Sequence, residues 1–353
     1  MNPRHLMPRI SYLLRALILV ALTGTALGVC AAAPRTFVAS GGNDANSCSL
    51  VSPCRSFSAA LAQTAAGGEI IVLDSAGYGP VVIDKAVAIT APEGVYAGIT
   101  VPTYGIGVQV AAGASDDVLL RGLSINGQGA GAGVKLTTAL SLVVDRCTIR
   151  GFAYAGFASP LPKPPPPPAT ALQIEGLGRF IVRDSFFVRN STAVMVGYGS
   201  GPYDGTIERS TFAETGSGVE IWGSIDLAVT DTVMSGISKP LAETGTGIAV
   251  YSATVDTSRI QVTRTSIVRF GRGIYVAGAL TASHVAVADS DISQNETGIV
   301  TDAGGYVWLT GTRVTHNGTA VSASSSPVGT SGTNFFAWNG TDGDPLLPPS
   351  GIK

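Results

Sequence analysis

The sequence predicts an all-β solenoid, and three observations carry this prediction. A short pattern repeats along the chain with a period of 22 to 25 residues. Charged residues make up only 13% of the chain and glycine contributes 45 of its 353 residues, a composition that suits stacked strands and tight turns. One convincing helix pattern, Ser56–Ala66, precedes the strands. We therefore expect coils of β-strand whose open apolar end is closed by a short helix.

Residues 1–33 are predicted to be a secretory signal and not part of the fold. Three arginines precede a largely apolar run, which ends at Cys30 and three alanines that offer small residues for cleavage. Two alternatives stay open. A membrane anchor needs ~20 apolar residues, whereas the run after Arg15 has about 14. A lipidated Cys30 would follow Val29, which is larger than the small residue usual at that position.

The segment 34–68 is predicted to hold a disulfide loop and the capping helix. Cys48 and Cys54 lie close together in a polar stretch, so in an oxidising compartment a local disulfide is expected. Metal binding is the alternative, but both histidines beyond residue 33 are distant in sequence. The helix Ser56–Ala66 places its apolar residues on one face and is stopped by two glycines, after which a strand begins at Glu69.

The clear repeats begin at Val118 and follow the frame apolar-x-apolar-x-x-Ser/Thr-x-apolar. This frame lacks the Leu-x-x-Leu-x-Leu spacing of leucine-rich repeats. Two longer intervals contain insertions, Pro160–Pro168 and Ser238–Thr246. The sixth residues of the eight repeats are Leu123, Cys147, Ser185, Ser210, Thr232, Thr265, Ser290 and Thr312. Cys147 stands at an inward position, where a buried structural thiol is expected.

Two further columns of the repeat predict packing and charge. The eighth column is apolar and predicts a stacked core: Ile125, Ile149, Phe187, Phe212, Met234, Ile267, Ile292 and Val314. The fifth column alternates in charge: Arg146, Asp184, Arg209, Asp231, Arg264 and Asp289. Equivalent residues of successive coils lie about 4.8 Å apart, so opposite charges attract along a column. We predict a structural charge ladder that fixes the register of the coils; a catalytic acid–base row is the alternative.

Two other features have a structural and a functional interpretation. The proline run Pro160–Pro168 predicts a stiff polyproline II loop, which is either a docking segment or a tolerated insertion. Asn190, Asn295 and Asn317 lie in glycosylation sequons, as does Asn339. The first three share the eleventh column of the repeat, so a turn-forming asparagine ladder explains them better than glycosylation.

At this point the chain resembles a known class. The repeat, the cysteine loop followed by a helix, and the ending Asn334–Gly343 resemble secreted bacterial parallel β-helix repeat proteins of the pectate-lyase-like superfamily. The resemblance covers about residues 35–345. It implies a single right-handed parallel β-helix over residues 69–330 and a C-terminal cap and tail over residues 331–353.

The resemblance predicts the fold better than the activity, because the superfamily includes lyases, hydrolases, epimerases, esterases and adhesins. The motifs that mark its enzymes do not occur in this chain, so no catalytic residue is carried over and no metal ligand is assigned. Calcium is a candidate cofactor only through the lyases of the superfamily, since no motif here indicates it. Whether the protein is an enzyme stays open.

Aromatic and acidic residues at strand ends form a candidate glycan-binding site. The candidates are Tyr203, Asp204, Glu220, Trp222, Asp226, Tyr251 and Tyr275. Exposed aromatic rings stack on the apolar faces of sugars, and carboxylates hydrogen-bond to hydroxyl groups. The same carboxylates would be able to form an acid–base pair. The structural alternative is that the rings cover loop backbone.

The sequence thus predicts a secreted or periplasmic, carbohydrate-associated β-helix that binds or modifies a polysaccharide. The competing hypothesis is a non-catalytic surface rod, similar to an adhesin, that presents loops to a partner. A net charge of −2 gives no reason to expect nucleic acid as a partner. We expect a monomer, with no membrane association once the signal has been removed.

Overall fold

A computed structural model of the protein describes residues 32–153, 169–176, 178–197, 203–237, 245–252, 258–278, 283–324 and 326–348. These residues form a right-handed parallel β-helix built from three parallel sheets, which confirms the predicted fold class. Each coil contributes one strand to sheet 1, then one to sheet 2, then one to sheet 3. Residues 1–31 of the predicted signal sequence and the proline run 160–168 lie outside the described residues, whereas Ala33, the last residue of the predicted signal, begins the first strand.

The strands are numbered in chain order. Sheet 1 contains β1 (Ala33–Val38), β2 (Thr64–Val72), β5 (Val87–Thr90), β8 (Asp117–Arg121), β11 (Ser141–Asp145), β14 (Arg179–Arg183), β17 (Tyr203–Glu208), β20 (Ile225–Thr230), β23 (Arg259–Thr263), β26 (Ser283–Ala288), β29 (Gly305–Thr310) and β32 (Val328–Thr330). Sheet 2 contains β3 (Ala76–Gly77), β6 (Ala97–Val101), β9 (Leu123–Gly127), β12 (Thr148–Arg150), β15 (Phe186–Val188), β18 (Thr211–Thr215), β21 (Val233–Gly236), β24 (Ser266–Val268), β27 (Asp291–Ser293), β30 (Arg313–Thr315) and β33 (Phe335–Ala337). Sheet 3 contains β4 (Val81–Ile83), β7 (Gly105–Ala111), β10 (Gly131–Thr138), β13 (Ala169–Ile174), β16 (Thr192–Val196), β19 (Ser217–Ile221), β22 (Thr246–Ser252), β25 (Arg272–Gly278), β28 (Thr297–Thr301), β31 (Thr319–Ala323) and β34 (Thr341–Gly343).

The N-terminal cap contains a shorter helix than predicted, and strands lie on both sides of this helix. Helix α1 (Phe57–Gln63) is capped by Ser56, whose hydroxyl accepts from the backbone N–H of Ala59 at 3.2 Å. The helix ends before Thr64, because the Thr64 hydroxyl lies 2.8 Å from that of Thr36 and the residue joins β2 beside β1. The helix is therefore shorter than the predicted Ser56–Ala66, and β2 begins at Thr64 instead of Glu69.

The predicted disulfide is present between Cys48 and Cys54, and both residues are buried. The cysteine loop runs beside β1: the N–H of Phe37 donates to the Cys48 carbonyl at 2.8 Å, and the Cys54 N–H donates to the Phe37 carbonyl at 2.9 Å. The disulfide therefore ties the first strand to the loop that leads into α1.

The apolar columns of the repeat stack as predicted. Backbone pairing aligns Ile149 with Ile125 and with Phe187, and it continues in this register through Ile292 to Val314. Cys147 is buried, as expected, and burial raises its pKa to about 12. The core of the β-helix therefore consists of one apolar layer per coil.

The bend between sheets 1 and 2 is built from one left-handed residue and one buried hydroxyl. All eight residues of the fifth column have a φ angle between 46° and 72°. In the next column a hydroxyl accepts from the backbone N–H of the preceding coil, as when Ser290 Oγ accepts from Thr265 N at 3.1 Å. The same hydroxyl donates to the carbonyl of Ala288 at 2.7 Å. Ser185, Ser210 and Thr265 accept from the preceding coil in the same way, so the hydroxyl column satisfies buried backbone N–H groups at these bends.

The bend between sheets 2 and 3 is built on an asparagine ladder. Asn295 Oδ1 accepts from Phe270 N at 2.9 Å, and Asn317 Oδ1 accepts from Asn295 N at 3.0 Å. Asn190 makes the equivalent bond to Phe152 N at 3.1 Å. The structure thus confirms the predicted ladder, and Asn339 extends it by one coil.

The β-helix extends beyond its predicted end at residue 330. Strands β33 and β34 pair with β30 and β31 and form a further partial coil. Asn334 and Asn339 occupy the two bends of this coil, where their side-chain oxygens accept from Thr312 N and Asn317 N. The predicted cap and tail over residues 331–353 therefore include two further strands of the β-helix, because the bend-forming side chains persist there.

Candidate functional site

The candidate site lies on the outward face of sheet 3 and at the adjacent strand ends. Backbone pairing places Glu220 of β19 beside Ala249 of β22, and Ala249 beside Tyr275 of β25. Trp222 follows β19 directly, and its N–H donates to the Val196 carbonyl at 2.8 Å. The pairing of successive coils therefore gathers residues that are far apart in sequence into one surface patch.

Three rings of this patch form a continuous row. Trp222 and Tyr251 are stacked, with ring centroids 4.2 Å apart and planes inclined by 19°. Tyr251 also contacts Tyr275, with centroids 5.5 Å apart and planes inclined by 57°. All three side chains are partly exposed. We call Trp222, Tyr251 and Tyr275 the aromatic row; it is a rigid apolar surface of the kind that stacks against sugar rings.

Charged and polar groups fix one end of the aromatic row. The guanidinium of Arg272 lies 4.3 Å from the centroid of the Tyr275 ring, within the range of a cation–π contact. The Tyr275 hydroxyl donates to Asp302 Oδ2 at 2.8 Å, and Asp302 Oδ1 accepts from the Ser324 hydroxyl at 2.8 Å. Burial and this bond to Asp302 raise the pKa of Tyr275 to about 12. Tyr275 is thus a neutral ring held in one orientation.

Glu220 supplies negative charge near the middle of the row. Burial raises the pKa of Tyr251, and the charge of Glu220 raises it further. Glu220 is partly exposed, as is Tyr251. A carboxylate beside stacked rings is a suitable acceptor for the hydroxyl groups of a bound sugar.

Three of the seven predicted site residues lie outside this patch. Tyr203 is buried at 2% exposure and donates its hydroxyl to the Gly197 carbonyl at 3.0 Å, so it is not the exposed ring that was expected. Asp204 and Asp226 lie on the outward face of sheet 1, where they pair with Arg179 at 3.0 Å and with Arg259 at 3.3 Å. The structure therefore does not bring these three residues together with the other four.

The alternation of inward and outward side chains along a strand explains why the Tyr203 ring is buried and not exposed. Tyr203 lies two residues before Gly205, which is in the inward first column, so a period of two turns both residues inward. Arg272 and Asp302 were missed for a different reason. Arg272 precedes Tyr275 by three residues, but Asp302 reaches the same ring only through the pairing of β25 with β28.

The fifth-column charges form discrete pairs along the bend between sheets 1 and 2. Arg209 makes two bonds to Asp184, at 2.9 and 3.1 Å, and Arg264 makes two bonds to Asp231, at 2.7 and 2.8 Å. Both arginines thus bind the aspartate of the preceding coil. These bonds hold the pKa of Asp184 and that of Asp231 below the usual range.

The two ends of this column depart from simple alternation. Arg146 contacts Glu93 at 2.6 Å and Asp145 at 3.7 Å. Asp289 lines a shallow groove with Arg264, Gly311 and Arg313. No three side chains of types that bind metals cluster within the described ranges.

A buried charge lies in the neighbouring fourth column. Asp145 is only 4% exposed at its side chain, and its Oδ2 accepts from Arg121 Nε at 2.7 Å and from Arg183 Nη2 at 3.3 Å. The three residues are register partners in β8, β11 and β14. Two arginines therefore compensate one buried carboxylate, which is a structural arrangement.

Comparisons with known proteins extend the description of the fold. No protein family and no curated protein matches the chain. A solved rhamnogalacturonan lyase is similar, with a TM-score of 0.51 and 10% identity over 81% of this chain and 75% of that one. A pectate lyase aligns with a TM-score of 0.47 and 14% identity over 87% and 78% of the two chains. A periplasmic alginate epimerase aligns with a TM-score of 0.44 and 12% identity over 75% and 61%.

At such low identities these similarities describe the fold alone. The similarity to the rhamnogalacturonan lyase agrees with the parallel β-helix that the three sheets of this chain form. Within the part of the chain that the structure describes, no helix is long and apolar enough to cross a membrane.

Proposed function

We propose that this protein is exported and binds a polysaccharide at the aromatic row. The observation that carries the proposal is the stack of Trp222 on Tyr251, continued by Tyr275 and placed beside Glu220. Tyr251 and Tyr275 stand on strands of sheet 3, and Trp222 directly follows β19 with its N–H bonded to the Val196 carbonyl, so little conformational entropy is lost when the rings bind. A rhamnogalacturonan lyase with the same fold gives this ligand class a precedent.

Binding is proposed ahead of chemical modification because of the carboxylates at the row. Asp302 is already engaged by Tyr275 and by Ser324, so among the described residues at the row Glu220 is the carboxylate available to a ligand. One available carboxylate suits hydrogen bonding to a sugar hydroxyl, whereas acid–base chemistry needs a pair. Export is supported by the disulfide between Cys48 and Cys54, which persists in oxidising compartments.

The proposal is tested on an array of immobilised polysaccharides that includes neutral and uronic-acid polymers, with and without calcium. The expected result is binding by the wild-type protein and loss of that signal in the Trp222→Ala/Tyr251→Ala double variant. Trp338→Ala is the matched control, since Trp338 is 68% exposed on the last coil, away from the row. Failure of the wild type to bind any glycan would favour the competing hypothesis, a rod that presents loops to a protein partner. Release of shortened or unsaturated products would indicate modification.

A further inference from the structure

A second candidate site lies on sheet 2, on a different face from the aromatic row. Thr100, Asn126, Arg150 and Val188 are register partners on the outward side of β6, β9, β12 and β15. Together with Tyr96 and Arg189 they line a groove of about 440 Å³. We call it the sheet-2 groove. Its volume falls within the range of small-molecule sites and exceeds what a single inorganic anion fills.

A chain of hydrogen bonds holds Arg150 in place within the groove. Asn126 Oδ1 accepts from Arg150 Nε at 2.5 Å, and Asn126 Nδ2 donates to the Tyr96 hydroxyl at 2.9 Å. We call this chain of hydrogen bonds from Tyr96 through Asn126 to Arg150 the relay. It uses only the Nε of Arg150, so the two terminal nitrogens can still donate to a ligand. Arg150 is exposed, and within the described ranges no carboxylate forms an ion pair with it. A cation that is already positioned loses less entropy when it binds an anion.

The tyrosine at the start of the relay is held flat against the sheet. Its ring lies across Gly98, where an added Cβ would be only 2.6 Å from Tyr96 Cε1. A side chain at Gly98 would thus displace the ring from the groove wall. Tyr96 is 46% exposed, so one part of the ring is available to a ligand while its hydroxyl holds Asn126.

The groove lining carries one positive charge that no ion pair among the described residues compensates, that of Arg150. Arg150 and Arg189 both line it, and Arg189 is 74% exposed and pairs with Glu214 at 2.7 Å. The other lining groups among the described residues are neutral, including the exposed side chains of Thr100 and Gln128. The groove therefore offers a guanidinium for an anionic group, an aromatic ring for an apolar face and amides or hydroxyls for sugar hydroxyl groups.

We propose that the sheet-2 groove binds an acidic sugar unit, with Arg150 holding its carboxylate or sulfate group and Tyr96 contacting its ring. Guanidinium binds planar carboxylates through two parallel hydrogen bonds, which gives both affinity and orientation. The proposal does not depend on the aromatic row, which lies on sheet 3. A chain of acidic sugars is the expected natural source of such units.

The test measures binding of short uronate oligosaccharides to the full-length protein by titration calorimetry. Neutral oligosaccharides of the same length, sulfated oligosaccharides and inorganic sulfate are titrated in parallel. We expect binding of the uronate or the sulfated ligand, which identifies the natural anion, and no comparable binding of the neutral sugar. Arg150→Gln should weaken binding about tenfold or more, because it removes a charge-assisted bidentate contact. Tyr96→Phe should weaken it less, since the ring remains while the bond to Asn126 is lost.

Two control variants show whether the sugar binds at the sheet-2 groove. Arg313→Gln removes an exposed arginine elsewhere on sheet 2 and should leave the affinity unchanged. Trp222→Ala alters the aromatic row and should also leave binding at the groove unchanged. Loss of binding at the groove is thereby distinguished from loss of binding at the row. Unchanged affinity in Arg150→Gln, equal binding of neutral sugars, or inorganic sulfate binding as tightly as the sugars would overturn the proposal. A thermal unfolding curve for each variant shows that it is folded.

Discussion

Asn317 Oδ1 accepts two bonds from Asn295, one from the backbone N at 3.0 Å and one from Nδ2 at 3.1 Å. Asn317 Nδ2 in turn donates to the Ile292 carbonyl at 3.0 Å. Both asparagines are buried. One side chain therefore satisfies two backbone groups of the preceding coil, and the two coils cannot slip past each other without breaking these bonds.

The first prediction concerns this ladder. Asn317→Ala should lower the free energy of unfolding by about 3 kcal/mol, because it leaves a buried N–H at Asn295 and a buried carbonyl at Ile292 without partners. Glu296→Ala, which removes an exposed side chain next to Asn295, should have little effect. Urea denaturation of the two variants checks this. Equal small effects would mean that water replaces the lost bonds.

The second prediction concerns the buried carboxylate of Asp145. Replacing both Arg121 and Arg183 with methionine should lower the free energy of unfolding by about 3 kcal/mol, because the charge loses its closest partners. Arg259→Met breaks an ion pair whose side chains are 67% and 65% exposed and should change stability little. Urea denaturation at low salt distinguishes the two cases. A comparable loss in both would contradict the distinction between buried and exposed pairs.

The third prediction concerns pH. The bonds from Arg264 lower the pKa of Asp231 in the folded state below its unfolded value of about 3.9. The contribution of Asp231 to stability is therefore present above about pH 4 and is lost as the pH falls through the folded-state pKa. Wild type should have a higher urea midpoint than Asp231→Asn at pH 7, and the difference should shrink below pH 4. Asp342→Asn, at an exposed position of β34, is the control. A difference that persists at pH 2 would rule out the ion pair as its cause.

The repeat made the register of the β-helix predictable. Apolar residues at a fixed place in each copy, such as Ile267 and Ile292, are direct partners in sheet 2. The fifth-column charges were also visible in the sequence. Their left-handed backbone was not, because arginine rarely adopts a positive φ and only Gly122 and Gly311 hinted at it.

The candidate site was only partly predictable, because it forms across coils. Trp222 and Tyr251 were expected near each other, and pairing of β19 with β22 brings them into contact. The ring of Tyr251 also contacts Tyr275 on the following coil. The relay from Tyr96 through Asn126 to Arg150 gave no local signal, since its three members lie on three different strands or turns and look like ordinary surface residues.

Titration calorimetry with the oligosaccharide that binds best on the array tests the aromatic row most directly. We predict that Trp222→Ala weakens binding about tenfold, as expected for the loss of one stacked ring, and that Tyr251→Ala does the same. Trp338→Ala should bind like the wild type. Wild-type affinity in Trp222→Ala, or an equal loss in Trp338→Ala, would contradict a glycan site at the row.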